Sequence, residues 1–189
     1  MKSLDITKLS DEELVSKIVE KNDTHLFAVL YDRYAGVVYN KCYGFSKNKE
    51  EAQDLTHDVF ILLFGKLRTF KGRSKFSTWL YSFTYNFCVN YVQRNKEKRK
   101  EKVTVVTDQI KENSNEDEID DATLFELKSD KLAKALEIIA ASEKMILLMK
   151  YQDDMSIKDI SITLDLGESA VKMRLKRAKG KVIKAYNEL

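Results

Sequence analysis

The chain has 189 residues, 43% of them hydrophobic, which is enough to bury a core in two small domains or one larger one. No stretch approaches the run of about eighteen apolar residues that a membrane span needs, and Met1–Ser10 lacks the apolar segment of a signal peptide, so a cytoplasmic chain without membrane insertion is expected. The net charge of +3 is small, but the 33 basic and 30 acidic residues are segregated into blocks.

There is no proline, and alternation of the strand type is nearly absent, so the pattern predicts an all-α fold. Ser10 with Glu13 makes a capping box ahead of a short first helix carrying Leu14, Val15, Ile18 and Val19. Leu26, Leu30, Tyr34, Val38 and Cys42, with Phe27 and Tyr31 alongside, recur at i, i+4 and predict a long helix that stops near Gly44. Asn48 with Glu51 offers the next cap, and Ala52, Leu55, Val59 and Leu62 carry a third helix to about Leu67. A basic loop, Arg68 to Lys75, leads into a fourth helix from Ser77 to about Arg99. From Lys100 to about Ala122 the period is lost, and charge with Asn and Ser takes over, as in a flexible linker. Periodicity returns at Leu124 and runs through Leu132, Ala135, Leu136 and Ile139, then restarts after a cap at Ser142 with Ile146, Leu147 and Met149. Two last helices, Ser156 to Leu164 and Glu168 to about Tyr186, complete the pattern. Two small helical domains, 1–100 and 124–189, joined by an acidic linker, 101–123, are therefore expected. Cys42 and Cys88 fall among apolar residues at helical spacing, where reduced thiols pack as small hydrophobes, and no disulfide is expected.

The charge blocks bracket the linker. Six Lys or Arg against two Glu lie between Arg94 and Lys102, seven acids against one lysine between Asp108 and Asp121, and seven basic residues against one acid between Glu168 and Lys184. Two basic surfaces on either side of an acidic connector suit two contacts with one polyanion. The C-terminal helix pair is the clearest of them. Ser156 caps with Asp159, Ile157, Ile160 and Leu164 face inward, and Asp165-Leu166-Gly167 forms a tight turn in which Asp tolerates the left-handed conformation. Val171, Leu175 and Ala178 then bury one side of the second helix. Lys172, Met173, Lys176 and Arg177 fall largely on the other, the side a helix-turn-helix places in the major groove.

Around the fourth helix, seven aromatics, Phe76, Trp79, Tyr81, Phe83, Tyr85, Phe87 and Tyr91, occur within sixteen residues. Trp79, Phe83, Phe87 and Tyr91 repeat every four residues, which is core spacing. Phe70, Lys71, Arg73, Ser74, Lys75 and Phe76 are different in kind. Rings interleaved with cations, beside a polar helix face bearing Asn86, Asn90 and Arg94, supply stacking surfaces, phosphate neutralisation and amides for base edges, as single-stranded DNA requires.

On these motifs the chain resembles the extracytoplasmic-function (group IV) sigma factors, the small promoter-recognition subunits of bacterial RNA polymerase. Leu9-Ser10-Asp11-Glu12-Glu13-Leu14 is similar to the family's opening. Glu51-Ala52-Gln53-Asp54-Leu55-Thr56-His57-Asp58-Val59-Phe60 is similar to the helix that grips the polymerase clamp. The resemblance implies core contacts through Asp54, His57 and Asp58 and, from the apolar face, Phe60 and Leu63. Phe76-Ser77-Thr78-Trp79-Leu80-Tyr81, with Asn86 and Asn90-Tyr91, is similar to the segment that melts and reads the minus-ten element. Ser169-Ala170-Val171-Lys172-Met173-Arg174-Leu175-Lys176-Arg177-Ala178 is similar to the helix that reads the minus-thirty-five element, which implies DNA contacts by Ser169, Lys172, Met173, Lys176 and Arg177. The implied fold is a region 2 domain followed by a region 4 helix-turn-helix, winged-helix-like or of three to four helices. The implied partners are core polymerase at its clamp and flap, promoter DNA both duplex and single-stranded, and an anti-sigma factor. His57 and Asp58 depart from the family's usual Gln and Glu, Ala140 replaces a common proline, and Asp165 replaces a turn glycine.

An enzyme is not expected. His25, Cys42, His57 and Cys88 show no ligand spacing, and no glycine-rich phosphate loop occurs, so neither a metal nor a cofactor is implied. The rival reading is an operator-binding regulator with the same helix-turn-helix, but a sensing domain has no use for the cations and rings between Phe70 and Phe76.

Overall fold

A computed structural model describes residues 9–46, 48–100 and 127–189, and its regular elements are all helical. The expected linker, 101–123, and the return of periodicity at Leu124 lie outside the described residues. The chain divides into two compact units, Met1–Asn90 and Tyr91–Leu189.

In the first unit, α1 (Asp11–Lys21) starts at Ser10, whose hydroxyl accepts from the Glu13 amide at 3.2 Å while the Glu13 carboxylate accepts from the Ser10 amide at 2.8 Å. Leu14, Val15 and Ile18 are buried, but Val19, expected in the same stripe, is exposed. α2 (Thr24–Tyr43) begins at Asp23, whose carboxylate accepts from the amides of His25 and Leu26 at 2.9 and 3.1 Å. The expected stripe of Leu26, Leu30, Tyr34, Val38 and Cys42 is buried throughout. It ends at Gly44, where a Cβ would sit 3.3 Å from the Lys41 carbonyl oxygen. α3 (Lys49–Lys66) is capped by Asn48, which accepts from the Glu51 amide at 2.8 Å, and it packs on α2. Its inward face is Ala52, Leu55, Val59, Phe60 and Leu63, and Leu62 points outward instead. A 3₁₀ turn, Leu67–Thr69, then leads to the loop before α4 (Phe76–Lys100).

α4 buries Phe76, Leu80, Thr84, Tyr85, Cys88 and Val89. Trp79, Phe83 and Phe87, expected in the core, are only half-buried, because the inward stripe is turned about a quarter of the helix away from the every-fourth-residue row of rings. Each fully buried large side chain contributes about 1.5–3 kcal/mol, so Phe76, Leu80 and Tyr85 anchor this helix. Lys41, also buried, donates to the Tyr85 hydroxyl at 3.2 Å and lies 4.1 and 4.7 Å from the ring centroids of Tyr81 and Tyr85, so the desolvated ammonium is met by π faces. Cys42 and Cys88 are free and buried, with their sulfurs 3.9 Å apart. Its hydrogen bond to Cys42, and then burial, push the Cys88 thiol far above the usual range, so it stays protonated and packs as an apolar group.

The second unit takes in the end of α4 from Tyr91 and then α5 (Ser129–Ile138), α6 (Ala141–Leu147), α7 (Ile157–Leu164) and α8 (Glu168–Glu188), of which α5, α6 and α7 all pack on α8. Of the two forms expected for this domain, the described residues take the four-helix one and contain no strand to make a wing. α6 is capped at Ala140 rather than Ser142. The Glu143 carboxylate reaches back to accept from the Ala140 amide at 3.2 Å, so a residue without any capping oxygen begins the helix. α6 loosens into a π-helical turn, Leu148–Gln152, before Asp154 with φ 51° reverses the chain. Val171, Leu175, Ala178, Val182 and Ala185 of α8 are buried, as are Ala135, Ile146, Met149 and Ile160 of the preceding elements.

Candidate nucleic-acid interfaces

The loop from Lys71 to Lys75 leaves the 3₁₀ turn through Phe70 and turns at Gly72, whose φ of +65° is a conformation that glycine adopts without steric cost. Lys71, Arg73 and Lys75 are exposed, and the half-buried Ser74 donates to the Lys75 carbonyl at 3.3 Å. The rings at its two ends touch, with Phe70 and Phe76 centroids 5.5 Å apart, so the basic loop is pinched at its base. Phe76 itself is fully buried and is therefore not a base-stacking surface, contrary to the expectation from its place in the motif. Its ring supports the loop from within.

Phe70 is half-buried, and farther along two more rings also keep access to solvent. Trp79 and Phe83 are stacked, with centroids 5.8 Å apart and planes 22° from parallel, and both are half-exposed. Asn86, Asn90 and Arg94 are exposed. Steps of four, three, four and four residues from Trp79 through Phe83, Asn86 and Asn90 to Arg94 keep all five on one helix face. Sequence periodicity divides this face, giving its rings to the core and its amides to DNA. The helix arithmetic that joins them is available from the spacing alone, and the regular row of rings masks it.

In the second unit the turn between α7 and α8 is held by Ser161. Its carbonyl accepts from the amides of Asp165 and Leu166, and its hydroxyl donates to the Leu166 carbonyl at 2.5 Å. Asp165 takes φ 51°, as the turn demands, and Gly167 is the extended N-cap of α8. Ser156 and Asp159 form the expected reciprocal cap of α7. On α8, Val171, Leu175 and Ala178 are buried, while Ser169, Lys172, Met173 and Arg177 are exposed and Lys176 is half-buried. Lys181, one turn farther on, pairs with Glu143 and ties α8 to the start of α6. No ring occurs on α8 before Tyr186.

A third surface lies on α3. Asp54, His57 and Asp58 are exposed on one face, but Phe60 and Leu63, expected beside them, are 3% and 0% exposed and belong to the core. The apolar side chains available there are Ile61, 71% exposed, and Leu62, 48% exposed. Among the described residues no cluster of His, Cys, Asp and Glu could hold a metal ion, and no helix is long and apolar enough to cross a membrane.

Two family models match the chain. Sigma-70 region 2 matches residues 30–98, and Sigma-70, region 4 matches residues 129–182. The ECF RNA polymerase sigma factor SigW of Bacillus subtilis is 25% identical over 181 residues, covering 92% of this chain and 95% of that protein. The ECF RNA polymerase sigma-E factor of Escherichia coli is 25% identical over 180 residues, covering 91% and 92%. The chain belongs to the ECF-type sigma factors. It is an alternative sigma factor that directs promoter recognition and transcription initiation, and the region 2 match decides against a plain operator-binding regulator. The fold agrees. The structure of CnrH in complex with the cytosolic domain of CnrY has a TM-score of 0.62 at 17% identity, covering 94% of this chain and 97% of that one. The sigma factor RpoE, in complex with the anti-sigma factor NepR from Bartonella quintana, has a TM-score of 0.58 at 18% identity, covering 85% and 96%. In this sigma factor region 2 spans most of α2, α3, the basic loop and nearly all of α4, and region 4 spans α5 to α8 as far as Val182, whereas α1 precedes both matches.

Proposed function

We propose that the two regions read promoter DNA in two different physical states. Residues 1–100 form the minus-ten module, with Lys71, Arg73, Ser74 and Lys75 neutralising and holding the strand, Trp79 and Phe83 giving ring surface, and Asn86, Asn90 and Arg94 meeting base edges and phosphate. Residues 124–189 form the minus-thirty-five module, with Ser169, Lys172, Met173, Lys176 and Arg177 in the major groove, and residues 101–123 connect them. The observation that carries this reading is the α4 face, where exposed amides share one stripe with half-exposed rings. Extruding a base costs a few kcal/mol, and a surface of rings and amides recovers that only from a strand free to enter.

The α3 face is the docking surface for the core polymerase clamp in this reading, through Asp54, His57, Asp58, Ile61 and Leu62, with region 4 meeting the flap. The protein acts as a cytoplasmic binding subunit of group IV, without catalysis of its own. An anti-sigma partner also belongs to the reading, since RpoE of the same fold is held by NepR.

The test uses holoenzyme reconstituted with bacterial core polymerase and a promoter that this holoenzyme selects from random DNA. Arg73→Ala should slow open-complex formation on the duplex at least tenfold, with little change in protein stability, because an exposed loop charge contributes little to the core. A template with the minus-ten segment already mismatched should rescue it if Arg73 serves strand opening. An equal loss on both templates would assign Arg73 to base or phosphate holding. Native behaviour on both would remove the loop from the promoter site.

A further inference from the structure

α4 begins without the usual help. Its N-cap position is Lys75, whose carbonyl accepts the first intrahelical bond, from Trp79 at 3.2 Å, and a lysine side chain has no acceptor to offer the free amides of the first turn. No acid lies in that first turn. The nearest hydroxyl upstream, that of Ser74, donates to the Lys75 carbonyl at 3.3 Å. What meets the first amide is Glu12 of α1, whose carboxylate accepts from the Phe76 N–H at 3.0 Å across 64 residues of sequence.

The three acids at the start of α1 have separate partners. Glu13 closes the cap of its own helix. Asp11 accepts from Arg33 at 2.7 Å and from the Tyr34 hydroxyl at 2.5 Å, which fixes α1 to α2. Burial, and next the bond to Asp11, hold the Tyr34 phenol above its usual range, so it remains a donor. The Tyr34 ring in turn packs edge-on against Phe76 at 5.6 Å. Glu12 thus stands on a helix that is itself anchored, and it holds the residue where the basic loop ends. A carboxylate there also suits the positive end of the α4 dipole.

We infer that Glu12 is a positioning residue for promoter opening: its carboxylate is the cap of α4, supplied from another helix, and it fixes the orientation of Arg73, Ser74 and Lys75. The inference rests on the reading of that loop as a strand-holding element. A capping residue from outside leaves the loop's own sequence, Lys71 to Lys75, free of acidic side chains.

Holoenzymes carrying Glu12→Ala, Glu12→Gln, Asp11→Ala and Arg73→Ala would be compared for binding to the selected promoter with a mismatched minus-ten segment. Hydrogen exchange of the amides from Phe76 to Thr78 would be followed in the same full-length variants. Glu12→Ala should weaken binding about five- to tenfold and speed exchange at Phe76, whereas Glu12→Gln, whose amide oxygen still accepts, should bind within about twofold of the native protein. Asp11→Ala should lower the unfolding temperature and leave binding nearly unchanged. Native binding by Glu12→Ala together with a loss in Arg73→Ala would overturn the positioning role and leave the loop reading standing. Equal losses in Asp11→Ala and Glu12→Ala would reduce the effect to general packing of α1 and would also overturn it. No loss in either Glu12→Ala or Arg73→Ala on this template, together with native opening of the duplex promoter by both, would remove the loop reading, and the inference with it.

Discussion

The outward faces of α4 and α8 are both long, polar and cationic at one end, yet they differ in one respect. α4 shows rings and amides together, Trp79 and Phe83 with Asn86 and Asn90, whereas the exposed residues of α8 up to Lys184 are cations, Met173, small residues and one acid, without a ring. A base inside a duplex offers only its edges and its phosphate to a protein, so rings on α8 would have nothing to stack on. An unpaired base offers both faces, and there a ring is worth about 1–3 kcal/mol. In the proposed reading, the difference between the two faces is a difference in the state of the DNA that each meets.

That comparison can be broken first on α8, where the largest effect is expected. Replacing Lys172, Lys176 and Arg177 together by Ala should flatten the salt dependence of promoter binding by about one unit of slope for every phosphate that the variant no longer neutralises. Where one of the three side chains reads a base edge, its removal should add about 1–3 kcal/mol at that single position of the promoter. The check is a titration of holoenzyme on the selected promoter across salt concentrations. An unchanged slope would show that α8 is not on the phosphates. The triple variant should lose affinity equally on duplex and on pre-opened DNA, since neither template alters the minus-thirty-five duplex.

A smaller effect sharpens the comparison by adding a third face that should respond to neither template. Ile61→Asp places a charge where a 71% exposed apolar side chain stands, and with Asp54→Lys it should reduce holoenzyme formation about tenfold, measured by titrating core polymerase. Once corrected for the fraction assembled, binding to both DNAs should be native. A DNA defect that survives this correction would place the α3 surface on the promoter.

The helices, their order and most caps are legible in the sequence because they are local: Ser10, Asn48 and Ser156 lie within three residues of the amides they meet. Sequence fails where one residue of register decides a face. By periodicity Leu62 belongs inward, and by resemblance Leu63 faces the partner. The structure reverses both, since two adjacent leucines fit an apolar stripe equally well by count. On α4 the row of rings at every fourth position has the spacing of a core, but the core there uses Thr84 and Cys88, which carry weaker apolar signals than the rings beside them. Phe76 cannot be placed from sequence at all, because its burial depends on Tyr34 and Phe70, which approach only through the fold. The same holds for Glu12. Only the missing acceptor at Lys75 hints that a cap must arrive from elsewhere.

The division of labour between the two faces is tested most directly by a crossed comparison on two templates. Holoenzymes with Asn86→Ala and Asn90→Ala together, or with Lys172→Ala and Arg177→Ala together, would be measured for affinity on the selected promoter as duplex and with its minus-ten segment mismatched. The α4 pair should lose about tenfold or more on the mismatched template and little in the initial closed binding to duplex, while the α8 pair should lose the same factor on both. Equal losses by the two pairs on both templates, or a defect of the α4 pair confined to closed duplex binding, would contradict the assignment of α4 to the unpaired strand.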